Sequence, residues 1–172
     1  EIIYEEETDI HSSRGWYNTQ TERSMLLDRS TVHHVEGKMM TGDTIYYDKR
    51  IGFGEVLGEM VMSDSTQKIT LTGEYGQMWE EDSRGYATDS ALMIDWSDTA
   101  HIAYIHADTL FTEELHYTDS ALMDSTYRRA RAYFGVRVFR DDMQMTCDSM
   151  VYIGADSTMH LYTDPICWSE HQ

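Results

Sequence analysis

Proline is almost absent from this 172-residue chain, with Pro165 as its single copy, so hardly anything in the sequence forbids backbone ladder pairing. Cysteine is nearly as scarce. Cys147 and Cys167 are too few for a disulfide framework and fit no CxxC metal pattern, and their separation in sequence does not set the Cα distance that a bridge requires. Basic residues number 13 against 31 acidic ones, a formal charge of -18 with a pI near 4.6. Such a charge repels a phosphate backbone and excludes nucleic acid as the natural partner. No run approaches the roughly 18–20 apolar residues of a membrane span, and the opening Glu1-Ile2-Ile3-Tyr4-Glu5-Glu6 lacks the basic start and apolar core of a secretion signal. The reading is a soluble chain from which any export signal has been removed, forming one domain over residues 1–172, since no linker-like composition divides it.

What is present favours strands. β-Branched and aromatic residues dominate the apolar set, and many windows alternate with period two: Val136 and Val138 with Arg137 and Phe139, Ile69 and Leu71 with threonines. Glycines at 52, 54, 58 and 135 lie inside or beside such windows, where they mark bulges or bends of a curving sheet. The expectation is an all-β sandwich, jelly roll or barrel of roughly fourteen to sixteen short strands, with little helix.

The chain also repeats itself. Thr88 to Met93 reads Thr-Asp-Ser-Ala-Leu-Met, and Thr118 to Met123 reads the same; looser copies stand at Asp43-Thr44-Ile45, Asp108-Thr109-Leu110 and Asp148-Ser149-Met150. Self-similarity of this kind predicts one small unit stacked repeatedly. A second phrase, Asp-Ser-Thr at 64, 124 and 156, with Ser97-Asp98-Thr99 as a near match, predicts turns, because aspartate and serine bond their own following backbone. Hairpins are expected from Asp89 through the Asp98 turn to Ile102 and from Asp148 through the Asp156 turn to Leu161.

Little of this points to catalysis. An acid–hydroxyl pair resembles part of a nucleophile's machinery, but an active site is built once, whereas these pairs recur. They read as hydroxyl–carboxylate hydrogen bonds at strand starts and edges. The eight histidines, with His33-His34 adjacent and His101, His106 and His116 in one region, lack HExxH spacing and read as surface or pocket-rim residues. No GxxxxGK[ST] loop and no glycine-rich calcium repeat occurs. The reading has no cofactor and no metal.

The phrases Gly42-Asp43-Thr44-Ile45-Tyr46-Tyr47-Asp48, His106-Ala107-Asp108-Thr109-Leu110-Phe111, Cys147-Asp148-Ser149-Met150-Val151-Tyr152 and Leu161-Tyr162-Thr163-Asp164-Pro165-Ile166-Cys167-Trp168-Ser169 together resemble the OstA-like proteins of Bacteroidetes, relatives of the LptA lipopolysaccharide carriers. The resemblance runs from Thr41 onward. It implies an open, twisted β-jelly roll, a periplasmic setting that would permit a Cys147–Cys167 bridge, an interior that holds lipid acyl chains, and ends that stack on similar domains. It also implies that the domain belongs to a longer protein.

If one strand face points inward, the lipid-binding candidates are Ile45, Tyr47, Val56, Met60, Met62, Ile69, Leu71, Val136, Val138, Met150 and Tyr152. Periodicity alone reads them equally as the filling of a closed core. Twelve methionines tilt toward an adaptable lining. The leading function is a non-enzymatic module that binds lipopolysaccharide by its acyl tails and helps bridge inner and outer membranes. The alternative is a structural β-repeat that assembles end to end through edge strands without lipid. A third reading, an acidic glycan-cleaving jelly roll, rests only on abundant carboxylates.

Overall fold

The computed structural model describes residues 2–4, 8–34, 37–118 and 124–169. Among the described residues thirteen strands form one antiparallel sheet: β1 (Ile2–Tyr4), β2 (Thr8–His11), β3 (Arg14–Asn18), β4 (Arg23–His34), β5 (Lys38–Asp48), β6 (Phe53–Asp64), β7 (Ile69–Trp79), β8 (Arg84–Asp95), β9 (Ala103–Thr118), β10 (Asp124–Arg140), β11 (Met143–Ile153), β12 (Thr158–Tyr162) and β13 (Ile166–Ser169). One 3₁₀ turn, Lys49–Ile51, is the only helical element among the described residues. β4 to β11 run as a meander, each paired with its sequence neighbours. β2 and β3 share the outer edge of β4, and β12 and β13 share that of β11. β12 and β3 are not paired with each other, so the sheet is open.

The strands are fewer and longer than the alternation suggested, because each runs through a bend that interrupts its period. Register slips once near the middle of every long pair: at Leu27/Ser30 of β4, Thr41/Thr44 of β5, Leu57/Met60 of β6, Thr72/Tyr75 of β7, Thr88/Ala91 of β8 and Tyr133/Val136 of β10. A bulge bends its strand and adds local twist. Aligned across the sheet, these bulges form a seam along which it folds into two leaves. The first leaf carries β3, β12 and the strand halves that run to the Lys49–Ile51 turn; the second carries β2, β13 and the remaining halves.

The repeated acidic phrase belongs to this seam. Residues 28–29, 58–59, 89–90 and 134–135 supply the extra residues on β4, β6, β8 and β10, while Asp43, Asp108 and Asp148 stand opposite them as single residues on β5, β9 and β11. Asp28, Glu59, Asp89, Ser90 and Phe134 all have positive φ, as bulges demand and as aspartate tolerates better than most side chains. The hydroxyls of Thr109 and Ser149 donate to Asp108 and Asp148, each at 2.8 Å. The hydrogen bonds expected at strand starts and edges therefore lie in mid-strand. The two identical hexapeptides are not equivalent: Thr88 to Met93 crosses the seam within β8, whereas Thr118 ends β9 and the rest of its copy lies outside the described residues.

The turn phrases hold at three places. Asp64, Asp98 and Asp156 each accept a backbone N–H two residues on, at 2.9, 2.9 and 3.0 Å, and the two expected hairpins form as β8–β9 and β11–β12. Asp124-Ser125-Thr126 is instead the start of β10, paired with Thr118, Tyr117 and His116 of β9.

Glycine has two distinct uses. Gly58 and Gly135 are bulge residues with φ of 75° and 65°, and Gly52 closes the 3₁₀ turn at φ 55°. Gly54 is no bend: a Cβ there would meet Met40 Sδ at 2.9 Å, so the missing side chain makes room for a methionine from the other leaf. Gly76 does the same for Met60 and Met62. A Cβ on Gly76 would fall 2.6 Å from Met60 Cε and 2.8 Å from the Tyr86 carbonyl oxygen, which cannot turn away. Gly76→Ala should therefore cost about 1–3 kcal/mol of stability by overpacking, measurable as a lower urea midpoint at unchanged m-value.

Candidate functional site

Alternation places one face of each leaf toward the other, and the inward residues merge into a single apolar cluster. Of the eleven candidates, Ile45, Val56, Met60, Met62, Leu71, Val136, Val138 and Met150 belong to it, each 0–5% exposed. Tyr47 and Tyr152 are half-buried against its rim, and Ile69 is buried beside the β6–β7 turn. Leu26, Met40, Met93, Ile105 and Leu110 share the same interior. They occupy the same alternating phase, two residues from a candidate or on the neighbouring strand, so the period-two signal could have found them. Small side chains at Ala87, Ala91, Ala107, Ala130 and Ala132 let the leaves approach closely between β8 and β10.

Among the described residues the interior is closely packed. At the mouth, where the free edges of the leaves meet opposite the seam, an apolar cavity of about 50 Å³ lies among Met62, Ile69, Leu71, Met78 and Trp79. That volume holds a water or two at roughly 30 Å³ each, far short of the roughly 300 Å³ of an ordinary ligand pocket. An acyl chain would enter only if the leaves part.

Polar side chains clasp them further along the mouth. Arg128 of the first leaf pairs with Asp95 of the second at 3.1 Å, both mostly shielded, with side chains 16% and 21% exposed. The Arg128 guanidinium also donates to the Gln67 carbonyl and, at 3.2 Å, to Gln67 Oε1, while Gln67 Nε2 donates to Glu114 at 2.8 Å. Within the first leaf, nearer the 3₁₀ turn, the Tyr47 hydroxyl donates to Glu80 at 3.0 Å. Burial, then the Glu80 charge, pushes the Tyr47 phenol well above its ordinary range, so it remains a neutral donor. None of these polar partners is legible from sequence, because they lie 33 to 61 positions apart.

His101, His106 and His116 do not gather, whereas the rings of His11 and His33 meet edge to face with centroids 6.4 Å apart. His33, His106 and His116 are exposed, and His34 is half-buried. His101 lies in the loop before β9, and its Nδ1 is 2.7 Å from Asp141, not near His106. His101, Asp141 and Asp142 form the one group among the described residues whose ligand atoms lie within 4.8 Å of one another, but Arg140 already holds Asp142 through two hydrogen bonds of 2.5 and 2.8 Å. The hydrogen bond to Asp141 and then its charge raise the His101 pKa above 6.5. A raised imidazole stabilises the fold fully below its ordinary pKa, and that contribution is lost as pH rises through the folded value. Titration followed by NMR should find His101 above 6.5, returning toward it in Asp141→Asn.

Cys147 is buried and Cys167 exposed, both free thiols on adjacent strands. Met145, not Cys147, stands opposite Cys167. The cysteines are therefore diagonal, a spacing of roughly 7–8 Å between Cα atoms that exceeds the usual disulfide range.

No family model matches the chain, and no curated protein matches it. Among solved structures it is similar to LptH from Pseudomonas aeruginosa, described as the LptA homologous periplasmic component of the conserved lipopolysaccharide transport device. The TM-score is 0.54 at 10% identity, over 73% of this chain and 82% of that one. The likeness establishes an LptA-like open β-jelly-roll fold. No helix among the described residues is long and apolar enough to cross a membrane.

Proposed function

We propose that this domain is a non-enzymatic periplasmic module that carries lipopolysaccharide by its acyl chains as part of a bridge between inner and outer membranes, and that it is a Bacteroidetes-type OstA-like relative of LptA. The observation that carries the reading is the open, seam-folded sheet: two leaves joined along one line, apolar inside, with a mouth opposite the seam. A closed barrel could not part in this way; a folded open sheet parts by flexing at its bulges. The eleven inward candidates then form the lining. Sequestering about ten methylenes contributes on the order of 8 kcal/mol, which offsets the packing that the leaves give up as they separate. Sugars and phosphates remain in water, away from a chain of charge -18.

Native mass spectrometry with lipopolysaccharide, at low and millimolar magnesium, tests this reading. Stoichiometric lipid adducts are the expected result; a folded sample that takes up none under either condition overturns it. The closely packed interior favours one second reading, an assembly module whose inside is only a core. Its edges, β12–β13 at one end and β1 and β3 at the other, are templates for further strands. That reading expects oligomers whose affinity ignores lipid.

A further inference from the structure

We propose that the outer face of the second leaf is an interface at which two copies of this chain pack sheet against sheet in a closed dimer. The inference is independent of the lipid reading. It also differs from assembly through edge strands, because it uses the face of the sheet and stops at two copies.

Strand register lays out this face as two rows of outward side chains. On β9, β10, β11 and β13 one row runs Tyr104, Phe139, Gln144, Trp168, and the other His106, Arg137, Thr146, Ile166. On β8 and β7 the first row continues as Ile94 and Thr70, the second as Leu92 and Thr72. Ser63, Met39 and His33 complete the first on β6, β5 and β4; Val61, Thr41 and Thr31 complete the second. Nine strands with two positions each give eighteen, and none is an aspartate or glutamate in a chain that has 31. Arg137 is their one fixed charge. The outer face of the first leaf is different in kind, since Glu55, Arg84, Glu113, Arg129 and Arg131 stand on it.

An antiparallel sheet with one face in water usually shows polar residues on that face. Here the outward set includes Tyr104, Phe139, Ile166 and Trp168, which are 38–53% exposed, with Val61, Leu92 and Ile94 half-buried in the same rows. Contiguous exposed apolar surface of this kind marks contact with another molecule.

Charge selects the occupant. Carboxylates border the face on both sides, Asp43, Asp108 and Asp148 along the seam and Asp64, Asp95 and Asp142 at the strand ends. A second copy carries the same charge of -18, and this face is where the two can meet without setting carboxylate against carboxylate. The face is also self-complementary in shape: rings crowd its β9–β13 end, while threonine and serine dominate from β4 to β7. A twofold axis near the middle strands lays one end over the other. Packed sheets lie about 10 Å apart with strands aligned to within about 30°. Nine strands at about 4.8 Å spread over roughly 40 Å, and a contact two residues deep along that length buries on the order of 1,000 Å² in all, the lower end for a specific interface.

Sedimentation equilibrium of the whole domain tests this. A monomer–dimer equilibrium is expected, with a Kd on the order of 10–100 μM that tightens as salt rises, because screening relieves the repulsion of the bordering carboxylates. Thr72→Glu and Ile94→Glu, each near the middle of the face, should weaken the dimer at least about tenfold while circular dichroism stays unchanged. Leu57→Glu, on the outer face of the first leaf, should leave it as it is. Protein that remains monomeric at about millimolar concentration overturns the proposal, as does a dimer that Leu57→Glu weakens equally. Ladders beyond the dimer that ignore both face variants assign assembly to the edges and overturn it too. Monomeric protein that binds neutral phosphatidylcholine vesicles, and loses them in Thr72→Glu, gives the face to a bilayer instead. Lipopolysaccharide adducts of the same variants are read separately, because these side chains point away from the interior, so the dimer and the lipid reading fail independently.

Discussion

Truncating Ile45 to alanine should lower the free energy of unfolding by about 2–5 kcal/mol. Ile45 lies on β5 just past the seam and is fully buried, among the largest such side chains in the protein. Its neighbours Val56 and Leu26 sit directly across the ladder on β6 and β4, fixed by backbone pairing on both sides, so they cannot collapse into the space it leaves. The loss combines the transfer free energy of the missing methyl and methylene groups with the cavity that remains. Urea unfolding monitored by tryptophan fluorescence measures it. A change below about 1 kcal/mol would mean that the leaves close over the gap, and hence that the interior is looser than its packing shows. If the interior is also the lipid site, Ile45→Ala should retain stoichiometric lipid in native mass spectra, because an enlarged lining still accepts a flexible chain.

Release of the mouth is the second large effect. Arg128→Ala removes the ion pair that joins the leaves and leaves the Asp95 carboxylate, largely shielded, without its guanidinium partner. The cost should be about 1–3 kcal/mol, reduced from that of a fully buried pair by the water that still reaches both groups. Under the lipid reading the same variant should take up fluorescent lipopolysaccharide faster, since the clasp that must break before the leaves part is already gone. Replacing both partners, Arg128→Met with Asp95→Leu, separates the two effects. An apolar pair of similar volume should restore stability and keep the mouth shut, so uptake should be no faster than wild type. Equal uptake rates in all three proteins would show that lipid does not pass this clasp.

How much of this was legible in the sequence can be traced residue by residue. Alternation at Ile69 and Leu71, or at Val136 and Val138, was enough to assign strand and inward face, because side chains on a strand alternate whatever the strand packs against. The turn aspartates at 64, 98 and 156 were legible for a similar reason: an aspartate bonds the backbone two residues on through local geometry alone. The seam was not. Asp43, Asp108 and Asp148 show in sequence as copies of one phrase, but that they line up across the sheet depends on the register of successive strand pairings, each fixed by both strands together. The identical hexapeptides make the same point, since one crosses a bulge and the other begins at a strand end. Gly54 looked like a bend and proved to be space for a methionine of the facing leaf.

The sequence by itself determined the class of structure, the inward residues and most turns, because these follow from short-range periodicity and local hydrogen bonding. Only the tertiary structure decided that the sheet folds along one seam, that its described interior is closely packed, and that Arg128 meets Asp95 across the mouth. Those features join groups far apart in the chain, and nothing in local sequence reports a distance that depends on how an entire sheet bends.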